Sequence, residues 1–214
     1  MNACQLLSDA WAEIARRRGC ERGMVEVVLN ELLRAYSEPN RQYHTIDHIA
    51  SLLRQLEKHG LLIVDREAVT LAILFHDVVY DPVQVDNEER SAAVAREQLS
   101  SAGFPDEVVG KVERYIRATK HSEDTKIPDP DLAVLLDLDL SILAASPPEY
   151  LAYAQAIRRE YRHISDELYR TGRQRILREF LARERIFGTD QLHMLWEERA
   201  RANIMGEIAD LAQG

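Results

Sequence analysis

The ten residues from Leu71 to Tyr80, LAILFHDVVY, decide the fold of this chain. They begin as an apolar helical run and lead into the pair His76 and Asp77. Aspartate is rarely buried without a partner, because removing its charge from water is costly. A metal ion is one such partner, since neutral imidazole and carboxylate are both metal ligands. The alternative is a polar cap at a helix end, and this stretch by itself does not decide between the two.

Length and composition indicate one soluble, helical domain. The chain has 214 residues, of which 46% are hydrophobic and 29% are charged, an ordinary balance for a globular domain. It has only 9 glycines and 7 prolines, and apolar residues recur at helical spacing along most of it. We therefore expect an all-α fold, a single helical bundle over residues 1–214, with helices in 1–36 packing on the core.

The apolar periodicity and the turn signals between the runs define the expected helices. They are predicted over about 3–17, 24–36, 46–59, 66–77, 87–101, 105–119, 131–143, 147–163, 165–183 and 190–212. Asp65 and Thr45 are expected to cap two of them, and Asp86 to form a capping box with Glu89. Glu89 then has a structural role, whereas its neighbour Glu88 has none that the sequence explains.

The acidic charge balance argues against several classes of protein. A net charge of -9 does not suit a general binder of nucleic acid or of anionic membranes, which would carry a basic face. No apolar run approaches the ~18 residues of a membrane span. Cys4 and Cys20 form no Cys-x-x-Cys pattern and no secretion signal is visible, so we expect a reduced, cytoplasmic protein. A small phosphorylated substrate remains compatible, because a bound cation supplies local positive charge.

Further ligand types lie on two other predicted helices. His48 falls in the first turn of one of them, four residues after His44. Asp137 and Asp139 lie within an apolar helix, where an ionised carboxylate is costly unless it is paired or one of the two faces solvent. Two imidazoles and two carboxylates suit an octahedral divalent ion such as Mn, Co, Fe or Ni, with Zn and Mg as further candidates. Helical folds usually hold metals between facing helices in this way.

In this order, the motifs resemble those of the HD-domain superfamily of metal-dependent phosphohydrolases. The closer resemblance is to the subgroup described as predicted metal-dependent HD-superfamily phosphohydrolases, and it covers about 36–207. The matching stretches are RQYHTIDH at 41–48, FHDVVYD at 75–81, DNEERSA at 86–92, TKH at 119–121, DLDLSIL at 137–143, the segment 150–161 and RARAN at 199–203. The metal ligands that the resemblance implies are His48, His76, Asp77 and Asp137, with Asp139 as the alternative to Asp137.

The resemblance implies metal-assisted hydrolysis of a phosphate ester, in a nucleotide or another small phosphoester. Asp77 would serve both as ligand and in catalysis, because it lowers the net charge of the ion. Glu88 is the candidate for the general acid or base. The candidates for binding the substrate phosphate, or for a second ion in the case of the histidines, are Arg41, His44, Lys120 and His121.

Two other functions use the same residues. A regulatory module could keep the fold and bind a metal or nucleotide without catalysis, although the presence of all four ligand types favours the enzyme. An oxygenase or lyase on the same scaffold is the third hypothesis. No partner beyond the small phosphorylated substrate is implied, and the sequence leaves a homodimer open.

Overall fold

The chain is built from α-helices, as the sequence predicted. The computed structural model describes residues 2–60, 63–121 and 129–213, and all regular structure within these ranges is helical. The helices are α1 (Ala3–Arg18), α2 (Arg22–Ala35), α3 (Ile46–His59), α4 (Arg66–Phe75), α5 (Asn87–Ser101), α6 (Asp106–Ala118), α7 (Pro130–Asp139), a 3₁₀ helix (Leu140–Ala144), α8 (Pro147–Glu160), α9 (Asp166–Ala182) and α10 (Asp190–Gln213). They form two compact units, Met1–Asp124 and Thr125–Gly214.

The centre of the first unit is α4, which is buried from its first turn onward. Every residue from Ala68 to Phe75 is buried, and the helix packs against α1, α3, α5 and α6. A helix that is apolar on all sides needs neighbours on all sides, which explains its central position. Asp65 begins the helix by accepting a hydrogen bond from the Ala68 N–H at 3.0 Å, as the sequence predicted.

The end of α4 lies two residues earlier than the sequence predicted. The His76 N–H still donates to the Ala72 carbonyl at 2.9 Å, in the helical pattern. The Val78 N–H then donates to the Phe75 carbonyl at 3.1 Å, which closes a tighter turn. The predicted range of 66–77 was therefore too long, and the His-Asp pair lies at the helix end and in the turn that follows it.

The N-terminal helices are joined to this centre by apolar packing and by hydrogen bonds to the main chain. Trp11 of α1 is fully buried, and its Nε1 donates to the Val25 carbonyl of α2 at 2.9 Å. The Tyr36 hydroxyl, just after α2, donates to the Leu74 carbonyl of α4 at 2.9 Å. A buried indole or phenol needs such a partner, and these two bonds fix α2 relative to α1 and α4.

The predicted helix caps were only partly correct. Thr45 and Asp86 occupy the N-cap positions of α3 and α5, but neither side chain makes a capping hydrogen bond. Glu89 was predicted to complete a capping box with Asp86, and this prediction was wrong. Its carboxylate instead accepts two hydrogen bonds from Arg117 of α6, at 2.7 and 3.0 Å. A bidentate bond to a guanidinium is stronger than a bond to one neutral N–H.

The second unit is organised around its longest helix, α10, which packs against the 3₁₀ helix, α8 and α9. Glu207 of α10 accepts two hydrogen bonds from Arg173 of α9, at 2.7 and 3.0 Å, and one from the Tyr150 hydroxyl of α8 at 2.5 Å. This network therefore links three helices. The predicted helix over 131–143 divides here, since the 3₁₀ helix begins at Leu140.

Two structural facts bear on the environment expected from the sequence. Cys4 is exposed and Cys20 is half-buried, and both are free thiols. Within the described ranges, no helix combines the length and the apolarity that crossing a bilayer requires. A cytoplasmic location stays a prediction from the sequence.

Candidate metal centre

Three ligand atoms converge where α3 packs against the end of α4. Nε2 of His48 lies 3.2 Å from Nε2 of His76. Oδ2 of Asp77 lies 3.1 Å from Nε2 of His76 and 3.7 Å from Nε2 of His48. Both histidines are buried and Asp77 is half-buried. Lone pairs held this close repel one another unless a proton or a cation lies between them.

The separations fit a single divalent ion. Nitrogen and oxygen ligands lie roughly 2.0–2.2 Å from an ion such as Zn²⁺, so two ligands are ~3.0 Å apart at an octahedral right angle and ~3.4 Å apart at a tetrahedral angle. The three measured separations, 3.1, 3.2 and 3.7 Å, lie close to these values. Two imidazoles and one carboxylate also leave coordination positions for water or substrate. The residues therefore fit a divalent metal.

The main chain fixes the orientation of His76. Its Nδ1 lies 3.0 Å from the Ile73 carbonyl, which can only accept a hydrogen bond. Nδ1 must therefore carry a proton, so Nε2 is the nitrogen that faces Asp77 and His48, and it can bind a metal once it has lost its own proton. Metal-binding histidines usually donate their second ring N–H in this way, which fixes the tautomer and raises the basicity of the ligand.

The start of α3 places His48. The His48 N–H donates to the Thr45 carbonyl at 3.0 Å, in the first turn of the helix. The buried side chains of Ile49 and Leu52 hold α3 in the core. The ring of Tyr43 lies 4.9 Å from the His48 ring and restricts its movement on one side. His48 is thus held by the helix and by an aromatic neighbour.

The carboxyl group of Asp77 is ionised at neutral pH. Burial by itself would raise the pKa of Asp77, because it penalises the charged form. The charge and hydrogen bond of His76 oppose burial, with smaller contributions from His44 and His48, and they hold the pKa of Asp77 well below its usual range. A carboxylate must be ionised to bind a metal, so Asp77 is in the state that a ligand requires.

Asp137, the predicted fourth ligand, lies on α7 in the second unit, and its carboxylate accepts hydrogen bonds from the residues just before α10. Its Oδ1 accepts from the Gly188 N–H at 2.6 Å, and its Oδ2 accepts from the Thr189 N–H at 2.8 Å and the Thr189 hydroxyl at 2.6 Å. Burial raises the pKa of Asp137, although these donors oppose the increase. The three-ligand group does not contain Asp137. Its role as a ligand stays a prediction, as does that of the half-buried Asp139.

Arg41 is buried beside the cluster, and the protein uses most of its donors. Nη1 donates to the carbonyls of Asp77 at 2.6 Å and His44 at 3.2 Å. Nη2 donates to the Val78 carbonyl at 3.0 Å, and Nε donates to Glu38 at 3.1 Å. Four of the five N–H groups of the guanidinium are thus engaged. The sequence predicted that Arg41 binds phosphate, whereas these contacts give it a structural task.

Two of the other predicted substrate-binding residues, His44 and Lys120, contact the loop over 78–86. His44 stacks on Tyr80 with ring centroids 4.2 Å apart, and it contributes to the low pKa of Asp77. Lys120, just after α6, donates to the Val85 carbonyl of the loop at 3.0 Å. His121 adopts a left-handed backbone conformation with φ 52°. Binding of phosphate by these three residues stays a prediction.

Glu88 and Glu89 have different surroundings at the start of α5. Glu89 pairs with Arg117, whose hydrogen bonds lower the pKa of the Glu89 carboxyl group. Glu88 is half-buried and has no hydrogen bond or ion pair within the described residues. The predicted capping box is therefore not the reason for the structural role of Glu89, whereas Glu88 is still a carboxylate without a structural task.

The sequence did not single out Glu38 and Tyr80, which complete the surroundings of Arg41. Glu38 accepts from the guanidinium, and the Tyr80 ring centroid lies 5.5 Å from its central carbon. Glu38 stands in a turn signal, Ser-Glu-Pro-Asn, where polar residues are ordinary. Tyr80 ends the central stretch but carries no ligand chemistry. The only available signal was their position along the sequence, because Glu38 shortly precedes the stretch 41–48 and Tyr80 shortly follows His76 and Asp77.

Comparison with known proteins identifies no relative of this chain. No protein-family model, no curated protein sequence and no solved structure matches it significantly. We therefore infer the function from the motifs of the sequence and from the geometry of the three ligands.

Proposed function

We propose that this chain is a metal-dependent phosphohydrolase of the HD type that acts on a nucleotide or another small phosphoester. The observation that carries the proposal is the convergence of His48, His76 and Asp77, with ligand atoms 3.1 to 3.7 Å apart. The sequence order of these ligands, and the stretches that surround them, resemble the HD-domain superfamily. That resemblance supports hydrolysis of phosphate esters as the reaction.

In this proposal His48 and His76 hold a divalent ion as neutral donors and Asp77 holds it as an anion. When bound, such an ion polarises a phosphoryl oxygen and lowers the pKa of a coordinated water. Mn, Co, Fe and Ni are the preferred candidates, and Mg and Zn are compatible with the same donors. Asp137 is the proposed fourth ligand, with Asp139 as the alternative.

The remaining residues of the proposed site bind the substrate and transfer protons. Glu88 takes a proton from the attacking water or gives one to the leaving group, because its carboxylate is half-buried and has no partner within the described residues. His44, Lys120 and His121 supply positive charge or hydrogen-bond donors to the phosphate. Such local donors matter because the chain as a whole carries a net charge of -9.

The test combines metal content with turnover. Protein freed of metal is given Mn, Fe, Co, Ni, Mg or Zn and screened for phosphate release from nucleotides and small phosphate esters. We expect uptake of about one ion per chain and turnover that a chelator abolishes. A His76→Ala, Asp77→Ala double variant should lose both. His193→Ala is the matched control, since this half-buried histidine pairs with Glu197 within the second unit. Equal metal content in the double variant and the parent would refute the proposal.

One observation favours a second function. Two histidines and one carboxylate with open positions are also the ligand set of non-haem iron(II) oxygenases. In that case the iron(II) protein would consume oxygen with an organic substrate and release no phosphate from the panel. Uptake of metal with neither activity would instead indicate a regulatory module that binds a metal or nucleotide.

A further inference from the structure

We infer that Arg41 is a positioning residue for the metal centre, which acts through the main chain that carries the ligands and not on the substrate. The inference rests on the proposed metal site. In this role, Arg41 helps the fold to hold the ligand atoms of His48 and Asp77 at the separation that an ion needs. Arg41 was expected to bind phosphate from its sequence motif, and its position in the structure indicates a different task.

One guanidinium nitrogen joins the two segments that carry the ligands. Nη1 of Arg41 donates to the carbonyl of His44, four residues before His48, at 3.2 Å. The same nitrogen donates to the carbonyl of Asp77 at 2.6 Å. The segment before α3 and the turn after α4 are therefore tied to a single planar group. Their separation depends on the length of these two bonds.

The burial of Arg41 indicates that the fold keeps a charge here for a specific purpose. Its side chain is 0% exposed, and a buried charge is costly unless it is paired and hydrogen-bonded. Glu38 provides the opposite charge at 3.1 Å. The rings of Tyr36 and Tyr80 lie 5.3 and 5.5 Å from the guanidinium carbon. Arginine suits this place because its fork is rigid and planar, whereas lysine offers one flexible ammonium group.

Loss of these bonds should change the ligand geometry before it unfolds the protein. Functional side chains must be held within about 0.5 Å of their working positions. Groups that orient metal ligands from outside typically change affinity by about 10–100-fold when they are removed. Arg41 bonds to the peptide group of one ligand, Asp77, and to that of the adjoining residue, Val78. It should therefore fall within this range.

The second unit contains a matched control. Arg158 donates to the carbonyls of Tyr161 at 2.8 Å and Ile164 at 3.2 Å, and it pairs with the carboxylate of Asp166. Its guanidinium carbon lies 4.8 Å from the ring centroid of Tyr169. The kinds of contact are the same as those of Arg41, but the residues it holds are not predicted ligands. Arg158→Lys thus removes the same kinds of contact away from the site, and because the Arg158 side chain is 31% exposed, urea unfolding is needed to compare the two losses of stability.

The experiment measures cobalt binding to metal-free protein by the visible absorption of Co²⁺, which responds to coordination geometry. Arg41→Lys should bind Co²⁺ about 10–100-fold more weakly than the parent, with an altered spectrum. Arg158→Lys should bind Co²⁺ like the parent, with an unchanged spectrum. Urea unfolding of the metal-free proteins provides the comparison of stability. If Arg41→Lys does not fold, Glu38→Gln replaces it in the test. This variant removes the charge that pairs with the guanidinium, so it should bind Co²⁺ about tenfold more weakly than the parent. Binding equal to that of the parent would then count against the role of Arg41.

The outcomes separate the inference from the proposed function. A parent protein that binds no Co²⁺ would overturn the metal site and the role of Arg41 together. If the parent binds Co²⁺ and Arg41→Lys has the same affinity and spectrum, only the role of Arg41 is overturned. Equal weakening in Arg41→Lys and Arg158→Lys would also overturn it, since the effect would then follow general stability.

Discussion

Asp77 and Asp137 are two carboxylates that the sequence treats alike and the structure treats differently. Asp137 accepts three hydrogen bonds from Gly188 and Thr189, at 2.6 to 2.8 Å. Asp77 faces the imidazole nitrogens of His76 and His48, at 3.1 and 3.7 Å. An aspartate whose oxygens accept from N–H and O–H donors has a task in the scaffold, whether or not it also binds a metal. One that shares its space with other ligand atoms is arranged for a cation.

Glu88 and Glu89, in the first turn of α5, show the same contrast between a carboxylate with protein donors and one without them. Glu89 accepts both donors of the Arg117 fork, so its carboxylate belongs to the scaffold. Glu88 is half-buried, and the described residues offer it no donor. The partners of a carboxylate therefore predict its task better than its position in a motif. The experiments below test this rule, beginning with the largest expected effect.

Glu88→Gln should lower turnover by about 10²–10⁴, because a glutamine keeps the size of the side chain but cannot take up a proton. Metal content and melting temperature should remain close to those of the parent, since Glu88 has no protein partner in the described ranges. Steady-state kinetics on the best phosphoester of the panel measures the effect. Glu89→Gln is the control and should leave turnover nearly intact. Unchanged turnover in Glu88→Gln would make Glu88 an ordinary surface residue.

Asp77→Asn should weaken metal binding by more than about 100-fold, since loss of a direct ligand exceeds the loss of an outer contact. The free energy of unfolding of the metal-free protein should also fall at pH 7, because the charge and hydrogen bond of His76 hold the pKa of Asp77 well below its usual range and so stabilise its ionised form in the folded state. Cobalt titration and urea unfolding measure the two quantities. Affinity equal to that of the parent would remove Asp77 from the proposed site.

Asp137→Asn should lower the free energy of unfolding of the metal-free protein by about 2 kcal/mol, because it brings an amide N–H₂ against donors at the start of α10. Denaturant unfolding measures this loss, and Asp139→Asn serves as the comparison. Stability equal to that of the parent would contradict the structural role of Asp137.

The same two variants test the predicted fourth ligand. From the family-like first position of the Asp-Leu-Asp pattern, we expect Asp137→Asn to weaken metal binding more than Asp139→Asn. The two carboxylates are two residues apart on a helix, about 200° around its axis, so their side chains do not converge on one ion. Titration with Co²⁺ decides the order, and the reverse order would assign the ligand to Asp139.

Much of the fold could be predicted because it depends on local patterns. The predicted ranges of 46–59 and 87–101 agree with α3 and α5 at both ends. The end of α4 could not be predicted as well. The turn there is held by Arg41, whose bonds to the carbonyls of Asp77 and Val78 span 36 and 37 residues of sequence.

The candidate site was predicted to the extent that it depends on rare residue types in apolar surroundings. His48, His76 and Asp77 were identified for this reason, and the structure brings them together. Pairings between distant residues carry no such signal. Glu89 meets Arg117 across 28 residues, and Asp137 meets Thr189 across 52. Spacing along the chain does not encode either pairing, so the capping box was predicted wrongly and the scaffold role of Asp137 was not foreseen.

Asp65 provides the smallest test, because it is a scaffold carboxylate that has both N–H donors and a cation. Burial alone would raise the pKa of Asp65, but the hydrogen bonds from Lys111 at 2.8 Å and the Ala68 N–H at 3.0 Å outweigh it and lower the pKa. A group whose pKa is lowered by folding stabilises the protein fully above its unfolded pKa, ~3.9 for aspartate. That stabilisation is lost as the pH falls through the lower, folded pKa.

We therefore expect Asp65→Ala to lower the free energy of unfolding by about 1 kcal/mol at pH 7, the usual effect of removing a helix cap. The difference from the parent should shrink once the pH falls below about 4. Asp65→Asn is the matched control, because asparagine caps a helix about as well as aspartate, and it should lose only the weak, salt-sensitive ion pair with Lys111. Urea unfolding at pH 7, 5 and 3 measures all three proteins, and neither variant should alter cobalt binding. A destabilisation that stays constant or grows on acidification would show that the charge of Asp65 does not stabilise the start of α4.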